Sequence, residues 1–127
     1  MIDEETAELQ MKARAAILNA YGIKTRAGRI ALILALENIA MLDRKQQDYG
    51  PGNIASFGEL GVLVRTNDKV ERLKNLWRTN RMADPQNESV SDSWRDLSNY
   101  GLIGEMCHRG IWPTEEPKQE ATAQDPS

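Results

Sequence analysis

The chain holds one cysteine and one histidine in 127 residues, Cys107 and His108. A lone cysteine excludes an internal disulfide framework, and one residue of each kind is too few for a zinc site of cysteine and histidine ligands. Because the two are adjacent, their side chains diverge by about 100° on a helix, which places them poorly as nucleophile and base for each other. A buried thiol in a reducing cytoplasm is the plainer expectation. Long apolar runs are also lacking. The longest, Ile30 to Leu36, falls far short of the ~20 residues that a membrane helix needs. Met1 to Glu8 is acidic where a signal peptide would be basic and then apolar, so a soluble, uncleaved protein away from membranes is expected. Charge of one sign is scarce too: 16 basic against 19 acidic residues give a net −3. This provides no global field for nucleic acid, and any phosphate binding must be local. Neither GxxxxGK[ST] nor GxGxxG occurs.

What is present fits one modest core: 40 % of the residues are apolar. The pattern predicts an all-α bundle of about four helices forming a single domain over 1–112. An acidic tail over 113–127, rich in Pro, Glu, Gln, Thr and Ala, is expected to be disordered. A first helix, Asp3 to Tyr21, has acids at its start, Gly22 at its end and a thin stripe of Leu9, Ala13, Ala16, Ile17 and Ala20. Such small side chains suit close packing on another helix or on another copy of the chain, and a homodimer is expected on that ground. After a basic link comes a second helix from about Arg29 to Gln47, apolar over more than one stripe and therefore expected to sit centrally. A loop rich in Gly and Pro leads to a third helix, Glu59 to Trp77, whose Leu63, Thr66, Val70, Leu73 and Trp77 share one face. A fourth runs from Ser89 to about His108, with Ser89 as N-cap, Asp92 three residues on, and an apolar face of Val90, Trp94, Leu97, Gly101 and Ile103 or Met106.

Two polar stripes accompany these faces. On the third helix Gly61, Arg65, Asp68, Arg72 and Asn75 fall together; on the fourth, Asp92, Asp96, Asn99 and Tyr100 do. One reading is a solvated surface laced with ion pairs worth a few tenths of a kcal/mol each. The other is a polar pocket, in which Arg65, Lys69 and Arg72 hold phosphate oxygens and Asp68, Asp92 and Asp96 place Mg²⁺ or orient the arginines. Tyr49, Phe57 and Tyr100 lie near these stripes, either to stack a base or as core or surface filler, and Asn99 belongs to the stripe of the fourth helix. If the site is catalytic, Mg²⁺ positions water on the phosphoryl group and Glu71 or Glu59 accepts its proton.

The segments DYG (Asp48 to Gly50), FG with Gly61, RTNDKVERLKNL and ESVSDSWRDLSNY together resemble the phage-associated nucleotide modification associated domain 1 family. The resemblance spans Asp48 to Tyr100 and rests on Asp48, Tyr49 and Gly50, on Arg65, Asp68, Lys69, Arg72 and Leu73, and on Glu88, Ser89, Asp92, Asp96, Asn99 and Tyr100. It implies an all-α domain of bacteriophages and bacteria in nucleotide metabolism or DNA-base modification, its recurrent polar residues lining the site. A looser similarity is to all-α NTP pyrophosphohydrolases of the MazG type, whose motif places ExxE on one helix and ExxD on a later one. Here Asp68 to Glu71 and Asp92 to Asp96 stand in, with Asp for the first Glu and the second pair spaced by four. Two functions are therefore expected as alternatives: a Mg²⁺-dependent nucleoside triphosphate pyrophosphohydrolase, or a non-catalytic protein that sequesters a nucleotide such as a host signalling nucleotide. A purely structural adaptor is the third.

Overall fold

The computed structural model describes residues 1–113, so the tail expected to be disordered lies outside the described residues apart from Pro113. The chain is all-α, as its periodicities require, with α1 (Glu4–Ala20), α2 (Arg26–Tyr49), α3 (Gly58–Arg78) and α4 (Val90–His108) and no strand among the described residues.

Local chemistry sets most helix ends. Asp3 caps α1, its carboxylate accepting from the Thr6 amide at 2.7 Å, and Ser89 caps α4, its hydroxyl accepting from the Asp92 amide at 3.1 Å. Three helices stop in the same way: a left-handed residue lets two amides turn back on the last carbonyls. Gly22 serves α1 (φ 66°, Ile23 N–H to Leu18 O 2.9 Å) and Gly110 serves α4 (φ 70°, Ile111 N–H to Met106 O 2.9 Å). In α3 the role falls to Asn80 (φ 56°, Arg81 N–H to Leu76 O 2.8 Å), the non-glycine type that tolerates this conformation best. The second helix begins a turn earlier than its apolar pattern suggests, because the Thr25 hydroxyl accepts from the Gly28 amide at 3.0 Å. It also runs two residues longer, through Tyr49, before Gly50 turns the chain.

By internal packing the chain divides into two compact units, residues 1–40 and the residues from Met41 onward, the division falling inside α2. In the first unit α1 and the start of α2 form an antiparallel hairpin. The groove between them is lined by Ile17 and Ile33, Arg14 and Leu36, Ala13 and Glu37, and Gln10 and Ala40, each pair equidistant from Thr25 along the chain. No residue of α1 or α2 is buried. The second helix was expected to be central; its apolar surface is instead largely open.

The second unit is organised by α3 packed antiparallel on α4. Pairings along the two helices show the direction: Glu59 with His108, Lys69 with Asp96, and Arg72 with Ser93. Ile54, Val62 and Ile103 form the core, with Leu42, Tyr100, Met106, Cys107 and Trp112 against it, and Leu73 and Leu76 are buried further along α3.

The face that α3 buries overlaps the expected one only in part. Leu63 and Trp77 are 61 % and 74 % exposed, and Val70 is exposed as well. Of the expected stripe Leu73 is buried and Thr66 half-buried; Val62 and Leu76 are buried in place of the others, with Lys69 and Arg72 half-buried beside them. The helix is turned so that two long cationic side chains face α4, where carboxylates and a hydroxyl receive them. Likewise α4 buries Ser93, Asp96, Asn99 and Ile103, while Trp94 is 58 % exposed. The buried face of α3 joins apolar residues to Lys69 and Arg72, and that of α4 joins the expected Ile103 to Ser93, Asp96 and Asn99, so the ion pairs and the apolar contacts share one seam.

Candidate functional site

Lys69, beside the polar stripe of α3, is the residue through which that helix meets the stripe of α4. Its ammonium lies 3.0 and 2.9 Å from the two carboxylate oxygens of Glu88, just before α4, and 2.9 Å from Asp96 Oδ2, two turns into that helix. The other Asp96 oxygen accepts from Lys45 Nζ at 3.3 Å, so α2, α3 and α4 are tied at one carboxylate. Asp96 is 7 % exposed, and burying it would be costly without these two cations. Burial works against the charge of Lys69. Hydrogen bonds to Asp96 and Glu88, together with the charges of both carboxylates, outweigh it and hold the ammonium above the ordinary lysine range.

One turn further along α3, Arg72 closes a second clamp. Its guanidinium donates to Ser93 Oγ at 2.6 Å and to the backbone carbonyl of Glu88, while the Ser93 hydroxyl donates to Glu88 Oε2 at 2.8 Å. Ser93 has no exposed surface, and this three-residue circuit satisfies its hydroxyl as donor and acceptor. Arg72 was expected to bind phosphate. Its fork is instead committed to holding the start of α4.

Beside these clamps opens a cavity of about 440 Å³. Its lining brings together most of the expected binding residues: Tyr49, Arg65, Lys69, Asn99 and Tyr100, with Asp96 among them. Lys45, Gln46, Asn53 and Glu88 join them, and Leu42, Ile54 and Ile103 supply apolar wall. The lining carries three cations, Lys45, Arg65 and Lys69, against the carboxylates of Glu88 and Asp96. It is therefore net positive within a chain of net −3. The carboxylates are held by the lysines. Arg65 donates to the neutral amide oxygen of Asn53 at 3.3 Å and, among the described residues, pairs with no carboxylate.

The remaining candidates lie elsewhere. Asp68 is exposed on α3, and Asp92 is exposed with its carboxylate 3.9 Å from Arg95. The expected metal set of Asp68, Asp92 and Asp96 does not assemble. Among the described residues no group of three or more His, Cys, Asp or Glu side chains is placed to hold a metal ion. Spacing put Asp92 and Asp96 on one side of α4, but the helix turns only Asp96 inward. Glu71 pairs with Lys74 at 3.1 Å in solvent and Glu59 with His108 at 3.2 Å, and neither lines the cavity. Phe57 is 82 % exposed and also stands outside it.

Sequence reasoning missed Lys45, Asn53 and Ser93 as working residues, and reached Glu88 only through the resemblance. Lys45 had a legible signal: it stands four residues before Tyr49, on the same face once α2 is seen to reach that tyrosine. Asn53 and Ser93 had none, since neither a loop amide nor a serine in the first turn of a helix announces its partner. No family model, no curated protein and no solved structure matches the chain, so the resemblance over Asp48 to Tyr100 rests on those residues alone.

Proposed function

We propose that the chain is a nucleotide-binding protein that takes its ligand in the cavity between Arg65, Lys69 and Tyr100 and holds it without turning it over. The observation carrying this reading is the Arg65 guanidinium. It lines a net-positive cavity and, among the described residues, pairs with no carboxylate, and a guanidinium fork matches phosphate oxygens. Tyr49 and Tyr100 add two phenol rings to the same lining, surfaces on which a base can stack. The volume lies in the range of small-molecule sites.

Two features favour binding over hydrolysis. Lys69 stands between the carboxylates of Glu88 and Asp96, where a divalent cation shared by such a pair would sit, so positive charge is already supplied without a metal. The two acids expected to accept a proton from water, Glu71 and Glu59, are engaged on the surface.

The test is calorimetric titration of the full chain with nucleoside mono-, di- and triphosphates and cyclic dinucleotides, in Mg²⁺ and in EDTA, with chromatography of each mixture. Binding should persist in EDTA with the nucleotide recovered intact. Arg65→Ala should weaken it roughly ten- to a hundred-fold, the value of one charged hydrogen-bonding group of about 1.5–3 kcal/mol. Mg²⁺-dependent loss of a triphosphate would replace this reading with the pyrophosphohydrolase. Absence of binding across the panel would remove it.

A further inference from the structure

We propose that the α1–α2 hairpin is the contact surface for a second copy of this chain, two hairpins packing face to face about a two-fold axis perpendicular to their helices. The first 40 residues hold no buried side chain in either helix, although α2 opens with the most apolar stretch of the sequence. Leu9 and Met11 on α1 and Ile30, Ile33, Leu34 and Ile39 on α2 are 42 % to 63 % exposed. The groove between the helices, about 380 Å³, has Ala13, Ile17, Ile33 and Leu36 in its walls. Gln10, Arg14 and Glu37 edge the same groove, and this many exposed apolar side chains on two helices marks an interaction site. Small side chains on α1 cannot cover an α2 that is apolar on several sides, so a second layer is required to make a core.

Charge identifies the occupant. At the open end of the hairpin α1 begins with Asp3, Glu4 and Glu5; at the turn end stand Lys24, Arg26 and Arg29, all exposed. Glu8 is already matched by Lys12 at 3.3 Å. A hairpin that is acidic at one end and basic at the other is complementary to itself when reversed. A perpendicular two-fold axis lays each acidic end on the partner's basic turn, whereas an axis along the helices would stack like charges. The size is close to the lower limit for a dimer. A hairpin of 17-residue α1 against α2 is about 25 Å long and about two helix diameters wide. That face approaches the roughly 600 Å² per partner found at the lower end of stable interfaces.

The experiment is sedimentation equilibrium of the full chain and two variants, Glu4→Lys with Glu5→Lys, and Lys24→Glu with Arg26→Glu. The wild type should sediment at twice the chain mass and dissociate more readily as salt rises. Each variant alone should weaken dimerisation ten-fold or more, and mixing the two should restore a dimer containing one of each. The second variant places acids at the start of α2, which the helix favours, so its loss of dimer would not reflect unfolding. A wild type that stays monomeric at 100 µM overturns the proposal; so does a dimer indifferent to both reversals and to their mixture. Neither outcome bears on nucleotide binding, which concerns the second unit.

Discussion

The Lys69 ammonium lies 2.9 Å from Asp96 Oδ2, with Asp96 nine-tenths buried and Lys69 about one-fifth exposed. The pair joins α3 to α4 across the middle of their contact. Lys69→Met would leave Asp96 with Lys45 alone and Glu88 with Arg72 at 3.8 Å. A loss of about 2–3 kcal/mol at pH 7 is expected, the range for removing one partner of a largely buried charge. Urea denaturation measures it.

The same lysine gives a pH dependence whose sign follows from its raised pKa. Its stabilisation is complete below the unfolded lysine value, about 10.4, and is lost as pH rises through the still higher folded value. The stability difference between wild type and Lys69→Met should therefore stay level from pH 7 to 9 and shrink above about pH 10.4. Melting both proteins across this interval isolates Lys69 from the other groups that titrate there. A difference that instead grew with pH would contradict the pairing.

Arg65 and Arg72, one on each side of Lys69, should separate binding from stability. Arg72→Ala breaks the circuit through buried Ser93 and the Glu88 carbonyl and should cost about 2–3 kcal/mol. Arg72→Lys should recover little, because an ammonium does not reproduce the fork that reaches both acceptors. Arg65→Ala, at an exposed position, should change stability by no more than about 0.5 kcal/mol while weakening the ligand. Denaturation and calorimetry on the same three proteins distinguish the roles.

The helices were legible because their punctuation is local. Asp3, Ser89, Gly22 and Gly110 act on groups within a few residues, so α1, α3 and α4 begin and end within a residue or two of where the sequence puts them. The polar stripes were legible as stripes, and Arg65, Lys69, Asp96, Asn99 and Tyr100 do share one cavity. Rotation about the helix axis was not legible. Leu73 was placed correctly, but Leu63, Val70 and Trp77 flank it as plausibly as Val62 and Leu76 do, and the choice lies with Glu88, Ser93 and Asp96. That rotation left Asp68 and Asp92 on the surface, and Arg72, two turns along from Arg65, meets the start of α4 and not the cavity. Pairings such as Lys45 with Asp96, 51 residues apart, leave no trace in local spacing.

Cys107, packed against the core of the second unit, should behave as an inert thiol. Burial, and secondarily the charge of Glu59, raise its pKa above the ordinary cysteine value. Its modification by an aromatic disulfide reagent at pH 7.5 should be at least ten-fold slower than that of a free thiol, with full reactivity reached only in denaturant. Fast native labelling would mean that the end of α4 opens readily, since the thiolate is the reacting form.

Trp112 connects the end of α4 to the wall of the cavity. Its indole N–H donates to the Pro51 carbonyl at 3.0 Å, and its ring lies against the core that includes Ile54 and Val62. Asn53, which holds Arg65, lies between Pro51 and Ile54 in the same loop. The tryptophan thus fixes the backbone that orients the guanidinium. Trp112→Phe keeps an aromatic ring but deletes the donor, which should cost about 1 kcal/mol. Hydrogen exchange should quicken across residues 51–57 while the amides of α3 and α4 that pack on each other stay protected. If Asn53 presets Arg65 for an anion, the same variant should weaken nucleotide binding several-fold without touching a ligand-contacting group. Exchange by mass spectrometry, with and without nucleotide, reads both effects. A loop that quickens while affinity holds would show that Arg65 finds its ligand unaided.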